Sequence, residues 1–206
     1  MYASSSGCYQ QPLEVCFMLD SSTSLNSAAM FYKELGFVAG LSQRFDIGEQ
    51  NTRFSVISFS DDSVLNVKLT DSVSKKALQQ KVLNIDYMTG DTYTDKAVNL
   101  MLSEGFEGAR PNIPRIGVVI TDGKATDPPT LEKVLKKVKK AGIKMIAIGV
   151  GGEIDVDQLN TIAGDKDHVF PVLEGVGALK FIEDNLIKTV CNAAQAYMSY
   201  TMPFPK

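Results

Sequence analysis

Apolar residues follow two patterns that alternate along the chain. Short, nearly continuous apolar runs are typical of buried strands, whereas apolar residues that recur every three or four positions are typical of helices with one buried face. The first pattern predicts strands at 13–19, 52–60, 64–69, 116–121, 143–150 and 168–173. The second predicts helices at 27–45, 74–83, 130–141, 156–162 and 179–197, and a helix that begins at Thr94 or Asp95 and ends near residue 106.

The alternation of strands and helices predicts how the sheet is arranged. Strands joined through helices are generally parallel, with the helices packed on both faces. The second and third predicted strands are separated only by the turn-forming residues 61–63, which indicates a hairpin. The predicted fold class is α/β, a Rossmann-like open sheet, mainly parallel with one antiparallel edge strand and helices on both faces. We expect one domain at 13–198, an N-terminal extension at 1–12 and a C-terminal tail at 199–206.

Composition narrows the classes of protein to which the chain can belong. Hydrophobic residues make up 44% of the 206 residues, which is enough for one substantial core. The net charge of -3 gives no bulk attraction to nucleic acid, which normally requires a strongly basic surface. No apolar run approaches the roughly 20 residues that span a bilayer, and residues 1–11 lack the hydrophobic centre of a signal peptide. The abrupt start and the MPFPK ending suggest an excerpt from a longer protein.

Oxygen-bearing side chains follow two of the predicted strands. Asp20, Ser22 and Ser24 come directly after the first strand. Asp122 follows the fourth strand, and Thr92 lies in a loop between two predicted helices. Ligands bind at the carboxyl ends of parallel strands, so these three loops are expected to converge. Two carboxylates and three hydroxyls would form much of the six-coordinate oxygen shell that Mg²⁺ prefers. The alternative explanation is that such residues merely cap turns and helices, which is their ordinary use.

The same residues resemble the metal-ion-dependent adhesion site of von Willebrand factor A domains, also called integrin I domains. The family pattern is D-x-S-x-S, then a threonine in a loop rich in glycine and threonine, then T-D-G after the fourth strand. In this chain the pattern is matched by Asp20, Ser22, Ser24, Thr92 and Asp122. The resemblance extends over approximately residues 13–192. Two positions depart from it, because Thr23 replaces a common glycine and Asp91 adds a negative charge beside the site.

The resemblance implies a site that binds a divalent cation together with a carboxylate from a partner. Ser22 and Ser24 are expected to coordinate the cation directly, and Thr92 directly or through water. Asp20 and Asp122 are expected to bind it directly or to orient the direct ligands. Mg²⁺ is the expected cofactor, with Mn²⁺ or Ca²⁺ as substitutes. The vacant position would receive an acidic residue of a matrix or cell-surface protein, of which collagen is the leading candidate.

The resemblance also implies a location and a mode of action. We expect an extracellular domain, secreted or part of the ectodomain of a surface protein, that is not an enzyme, does not bind nucleic acid and does not insert into a membrane. In some family members the last helix slides and changes the affinity of the site. Here the corresponding segment is 176–197, and a disulfide at its end would favour a largely fixed site.

Three cysteines bear on that expectation. Cys8 and Cys191 lie just outside the two ends of the regular pattern, where many extracellular family members have a cysteine pair. Cys16 lies within the first predicted strand and is expected to be a buried, unreactive thiol. We therefore expect a Cys8–Cys191 disulfide, and the alternative is three unrelated thiols.

Two other functions are compatible with a metal site of this kind. One is a structural matrix-assembly module in which the cation only stabilises the fold. The other is a magnesium-dependent phosphoryl-transfer enzyme, but the sequence contains neither G-x-x-x-x-G-K-[ST] nor G-x-G-x-x-G to hold a phosphate. The only histidine, His168, precedes a strand and is expected to be structural.

A cluster of lysines in the fourth predicted helix allows two interpretations. It is a binding patch for a heparin-like polyanion or simply a solvated helix face, and the second is the more ordinary. The cluster consists of Lys133, Lys136, Lys137, Lys139 and Lys140.

Overall fold

The computed structural model describes residues 11–25 and 27–201, and within them one six-stranded sheet. Its strands are β1 (Glu14–Asp20), β2 (Arg53–Phe59), β3 (Ser63–Val67), β4 (Arg115–Thr121), β5 (Lys144–Val150) and β6 (Val169–Val172). Their order across the sheet is β3-β2-β1-β4-β5-β6. Strand β3 pairs with β2 in the antiparallel sense, and every other pairing is parallel. The predicted fold class is therefore confirmed.

Helices cover both faces of this sheet. They are α1 (Ala28–Arg44), α2 (Lys75–Leu83), α3 (Thr94–Leu100), α4 (Pro128–Lys140), α5 (Val156–Ala163) and α6 (Glu183–Thr201). The helix predicted to end near residue 106 is α-helical only to Leu100, because the segment Met101–Gly105 continues it as a π-helix. The closing segment differs too, since Val176–Phe181 is a 3-10 helix. Helix α6 then runs to Thr201 and covers the first three residues of the predicted tail.

The two faces of the sheet form two separate hydrophobic cores. Alternate residues of β1 point to opposite faces, which is the geometry of a strand buried on both sides. Val15, Phe17 and Leu19 pack with the apolar residues of α1, α2 and α6. Cys16 and Met18 pack with those of α3, α4 and α5. Strand β1 therefore lies at the centre of the molecule, and its carboxyl end is fixed from both sides.

A buried ion cluster lies at the opposite end of β1 from its carboxyl end. Glu14 has no exposed surface and accepts two hydrogen bonds from Arg53, at 2.9 and 2.6 Å. Its Oε1 also accepts one from Nε of Arg110 at 2.8 Å. The cluster joins β1, β2 and the segment before β4, and no local sequence pattern predicts it.

The structure bears on two of the three cysteines. Cys16 is buried and free, as expected, and burial raises the pKa of its thiol to about 12. Cys191 is partly buried and packs against the first hydrophobic core. Cys8 lies outside the described residues, so the Cys8–Cys191 disulfide stays a prediction.

Candidate metal-binding site

The candidate site lies at the carboxyl edge of the sheet, between β1 and β4. These strands are neighbours at the centre of the sheet, and the strand order reverses there: β2 lies on the other side of β1, and β5 on the other side of β4. Loops that leave such a pair of strands diverge to opposite faces and open a crevice between them. The end of β1 and the end of β4 contribute Asp20 and Asp122 to this crevice.

Asp20 is the most deeply placed of the candidate ligands, with no exposed surface. Its Oδ1 accepts a hydrogen bond from the backbone N–H of Ser22 at 3.0 Å. Its Oδ2 accepts one from the hydroxyl of Thr121 at 2.6 Å. Burial raises the pKa of Asp20 to about 6, and the charge of Asp122 adds to the rise, while the hydrogen bonds from Ser22 and Thr121 oppose it.

The two serines link the first loop to Asp122. The hydroxyls of Ser22 and Ser24 are 2.8 Å apart, and the hydroxyl of Ser24 donates to Oδ1 of Asp122 at 2.7 Å. Burial raises the pKa of Asp122, although the hydrogen bond from Ser24 opposes the rise. This chain of oxygen atoms joins residues 98 positions apart, as the sequence predicted.

Thr92 faces the same space from the third loop. A Cβ built on Gly123 would lie 3.7 Å from Oγ of Ser24 and 3.9 Å from Oγ1 of Thr92. Both hydroxyls therefore border the opening above Gly123, which has no side chain to fill it. The structure thus brings together all five residues predicted for the site.

The loop that carries Thr92 is fastened to the first loop by side chains that the sequence analysis did not assign to the site. The hydroxyl of Thr23 accepts a hydrogen bond from the N–H of Gly90 at 2.9 Å, and the N–H of Thr23 donates to the carbonyl of Gly90 at 2.9 Å. The hydroxyl of Ser21 accepts from the N–H of Met88 at 2.7 Å. Thr23, noted above as a departure from the family pattern, therefore holds two loops together.

A second pair of hydrogen bonds fastens Thr92 to the loop after β4. The N–H of Thr92 donates to the hydroxyl of Thr126 at 3.0 Å, and the N–H of Thr126 donates to the carbonyl of Thr92 at 2.8 Å. These two hydrogen bonds hold the loop of Thr92 against the loop that follows β4. No sequence pattern indicated Thr126, because threonine in a loop is too common to be a signal.

Glu34 of α1 is a buried carboxylate that the sequence analysis missed. It has no exposed surface, and neither of its carboxylate oxygens has a hydrogen-bond partner among the described residues. Burial raises its pKa well above the ordinary range, and the charges of Asp20 and Asp122 raise it further. The helical spacing of the sequence could have revealed this buried carboxylate, since Glu34 lies three residues after Phe31 and four before Val38 on the apolar face of α1.

The donor set fits a hard divalent cation. It consists of two carboxylates and three hydroxyls, all of them oxygen ligands of the kind that Mg²⁺, Mn²⁺ and Ca²⁺ accept. The described part of the chain contains no cluster of three or more His, Cys, Asp or Glu side chains that could hold a metal ion. A cation at this place would therefore need the hydroxyls as ligands in addition to the two carboxylates.

The sequence as a whole identifies the family. Residues 14–184 match the von Willebrand factor type A domain, and the chain belongs to that family. It is 31% identical to cuticlin-6 of Caenorhabditis elegans over 179 residues, which are 87% of this chain and 31% of cuticlin-6. It is 32% identical to the human collagen alpha-6(VI) chain over 192 residues, which are 89% of this chain and 8% of that protein. The chain thus spans about a third or less of these curated relatives.

A solved structure shows the same fold. The proximal thread matrix protein 1 of the mussel byssus, with zinc in its metal-ion-dependent adhesion site, matches with a TM-score of 0.81 and 23% identity. The match covers 89% of this chain and 46% of that chain. Like its relatives, which include a cuticlin and a collagen chain, this chain is an extracellular domain. None of the helices in the described residues has the length and apolar character required to cross a membrane.

Proposed function

We propose that this domain binds a protein of the extracellular matrix through a divalent cation held by the five candidate ligands. The observation that carries the proposal is the continuous chain of oxygen atoms from Ser22 through Ser24 to Asp122, beside the opening above Gly123. Asp20 holds the backbone of the first loop in place, because its Oδ1 accepts a hydrogen bond from the N–H of Ser22. The metal site of the mussel byssus protein, a member of the same fold, supports the assignment.

The chemistry of the ligands explains why an acidic partner is expected. Three of the five side chains are neutral hydroxyls, so a bound cation would keep much of its positive charge. A carboxylate from a partner protein is the natural ligand for the remaining position. Mg²⁺ is the proposed cation, with Mn²⁺ and Ca²⁺ as substitutes, and collagen is the first partner to test because collagen and cuticle proteins are among the relatives.

We also propose that the domain acts by binding rather than by catalysis. Its relatives include a cuticlin and a collagen chain, and neither of the glycine-rich phosphate-binding motifs occurs in the sequence. A phosphatase assay with Mg²⁺ should show no turnover. Turnover that is lost in Asp20→Ala would overturn this part of the proposal.

The proposal is tested by binding to immobilised collagens and other matrix proteins in Mg²⁺ and in EDTA. The variant Ser22→Ala/Ser24→Ala removes two of the hydroxyls that the proposal requires. A matched control is Ser103→Ala/Ser199→Ala, because each of these exposed hydroxyls contacts only a carbonyl of its own helix. We expect binding to be lost in EDTA and in the first variant and retained in the control.

Two other results would contradict the proposal. Binding that survives both EDTA and the site variant would place ligand recognition on another surface. Thermal stabilisation by Mg²⁺ without any cation-dependent binding would assign the site a purely structural role.

A further inference from the structure

We propose a second binding surface, for a sulfated polysaccharide, on the side of the domain formed by α4 and the start of β5. We call it the lysine face. It consists of Lys133, Lys136, Lys137, Lys139, Lys140 and Lys144. These residues lie outside the candidate metal site, and the proposal does not depend on the function proposed for that site.

The lysine face is a concentration of positive charge that nearby carboxylates neutralise only in part. All six side chains are exposed, and none forms an ion pair among the described residues. Four other lysines have a carboxylate partner within 4 Å: Lys68, Lys81, Lys96 and Lys124. The remaining exposed lysines without an ion pair are spread over other elements, whereas the lysine face gathers six of them on α4 and β5. The six unpaired ammonium groups belong to a chain whose net charge is -3.

The stability of α4 explains only part of the cluster, namely Lys137, Lys139 and Lys140 in its last turn. Lysines near the carboxyl end of a helix interact favourably with its dipole, but this effect is confined to the last turn. Lys133 lies in the first half of α4, and Lys144 lies on β5. Lys133 and Lys137, like Lys136 and Lys140, are separated by four residues, a spacing at which like charges destabilise a helix. Glu132, four residues before Lys136, offsets part of this repulsion. The helix itself thus gains nothing from the presence of Lys133 and Lys144.

The surface beside these lysines is concave. A cavity of about 450 Å³ lies between α4, β5 and α5, and Lys136, Lys139 and Lys144 line it. Its floor includes apolar residues such as Leu135 and Met145. The carboxylates that line it, Glu132 and Asp165, are fewer than the lysines. A strand of polymer would therefore meet a groove bordered by cations rather than a convex helix face.

The distribution of charge favours a linear polyanion. Lys136, Lys139 and Lys144 border the groove, and Lys133, Lys137 and Lys140 continue the charge beside it along α4, over about 10 Å at 1.5 Å per residue. Lysine ammonium groups are mobile point charges that do not need a bidentate partner, unlike arginine. Such a row suits the repeating sulfates of a polysaccharide, which can contact successive lysines in many registers. Because the domain is extracellular, sulfated polysaccharide is a more fitting partner than nucleic acid.

The test is retention on immobilised heparin, measured with a salt gradient and then as a Kd. The variant Lys136→Glu/Lys139→Glu/Lys144→Glu changes the charge around the groove. The control Lys33→Glu/Lys76→Glu/Lys188→Glu changes the net charge equally at exposed lysines on other elements. We expect the first variant to bind heparin at least about tenfold more weakly than wild type, and the control to bind nearly as well as wild type. If the first variant does not fold, the same three lysines replaced by glutamine test the same expectation.

Competition experiments and the effect of EDTA distinguish this proposal from a nonspecific charge effect and from binding at the metal site. Heparin should compete better than hyaluronan, which has no sulfate, and better than polyaspartate. Equal loss of binding in both lysine variants, or equal competition by polyaspartate, would overturn the proposal in favour of a nonspecific charge effect. Failure of wild type to bind heparin at physiological ionic strength would also overturn it. EDTA and Ser22→Ala/Ser24→Ala should leave heparin binding unchanged, so this proposal and the proposed matrix adhesion fail or succeed separately.

Discussion

At the scale of single residues, the burial of Asp20 couples cation binding to protons. With no exposed surface, its carboxyl is difficult to ionise, and its pKa rises to about 6. The pKa of Asp122 is raised as well, and burial is again the main reason. Because a metal ligand must be deprotonated to bind, a cation and a proton compete for this pair.

We predict that the affinity for Mg²⁺ or Mn²⁺ falls as the pH is lowered through about 6. At pH 7.5 Asp20 is ionised, whereas at pH 5 only about one molecule in ten has lost this proton, so the affinity should be about tenfold weaker. Isothermal titration calorimetry at the two pH values measures this directly. The variant Asp91→Asn removes an exposed carboxyl beside the site and should keep the same pH dependence. Equal affinities at both pH values would contradict the prediction.

Glu34 is the second residue whose burial has a measurable consequence. Since its pKa in the folded protein is raised, the fold holds a proton that the unfolded chain releases above about pH 4.3. The stability contributed by this protonated carboxyl is present below that pH and is lost as the pH rises through the folded pKa. When Glu34 ionises, its carboxylate has no hydrogen-bond partner among the described residues.

We predict that Glu34→Met stabilises the domain, by about 1–3 kcal/mol, because it removes a buried polar group without a partner. The gain should grow between pH 5 and pH 8. Urea unfolding in EDTA across this range measures it. Glu104→Met is a matched control at an exposed helical position and should show no such pH dependence. A variant less stable than wild type throughout would show that Glu34 has a stabilising partner.

At the scale of elements, the position of Thr92 depends on the backbone of Gly90. Gly90 has φ of 126°, a conformation that residues with a side chain rarely adopt. A Cβ there would overlap the carboxylate of Asp61, which would have to move. Both the N–H and the carbonyl of Gly90 bond to Thr23, so a shift of Gly90 would move the two loops apart.

We predict that Gly90→Ala weakens cation binding while the domain remains folded. The substitution should cost about 1–3 kcal/mol of stability through backbone strain and should reduce the rise in thermal midpoint caused by Mg²⁺. Gly36→Ala is a suitable control, because a Cβ at this position of α1 meets nothing within 4 Å. That control should be neutral or slightly stabilising and should leave the effect of Mg²⁺ unchanged. An unaltered effect of Mg²⁺ in Gly90→Ala would show that the loop position does not matter.

At the scale of the whole molecule, the proposed Cys8–Cys191 disulfide would join the N-terminal extension to α6. A crosslink that closes so long a loop stabilises by about 5 kcal/mol on the chain-entropy model. We predict that a thiol-alkylating reagent applied to the unfolded, unreduced protein labels Cys16 alone. Reduction should lower the thermal midpoint and change the affinity for the matrix ligand, because the bridge is expected to tether the end of α6 and keep the site fixed. An affinity that does not change on reduction would remove the main support for a fixed site. Labelling of all three cysteines without reduction would exclude the bridge.

Much of this protein follows from local patterns in its sequence. The apolar runs and the helical spacing predicted the strands, the helices and the antiparallel edge, because burial on one or both faces leaves a direct periodic trace. The five candidate ligands were also predictable, because each stands at a fixed place relative to a strand or in a short motif. The end of α3 was not, since the switch to a π-helix at Met101 leaves no comparable signal.

Only the tertiary structure decided which side chains support the site and the fold. Glu14, Arg53 and Arg110 form one cluster although they are far apart in the sequence, and the partner of each charge depends on how the strands are ordered. Thr23 bonds to Gly90 for the same reason. Periodicity records whether a position is buried, whereas a hydrogen bond or a buried charge depends on which distant segment packs beside it.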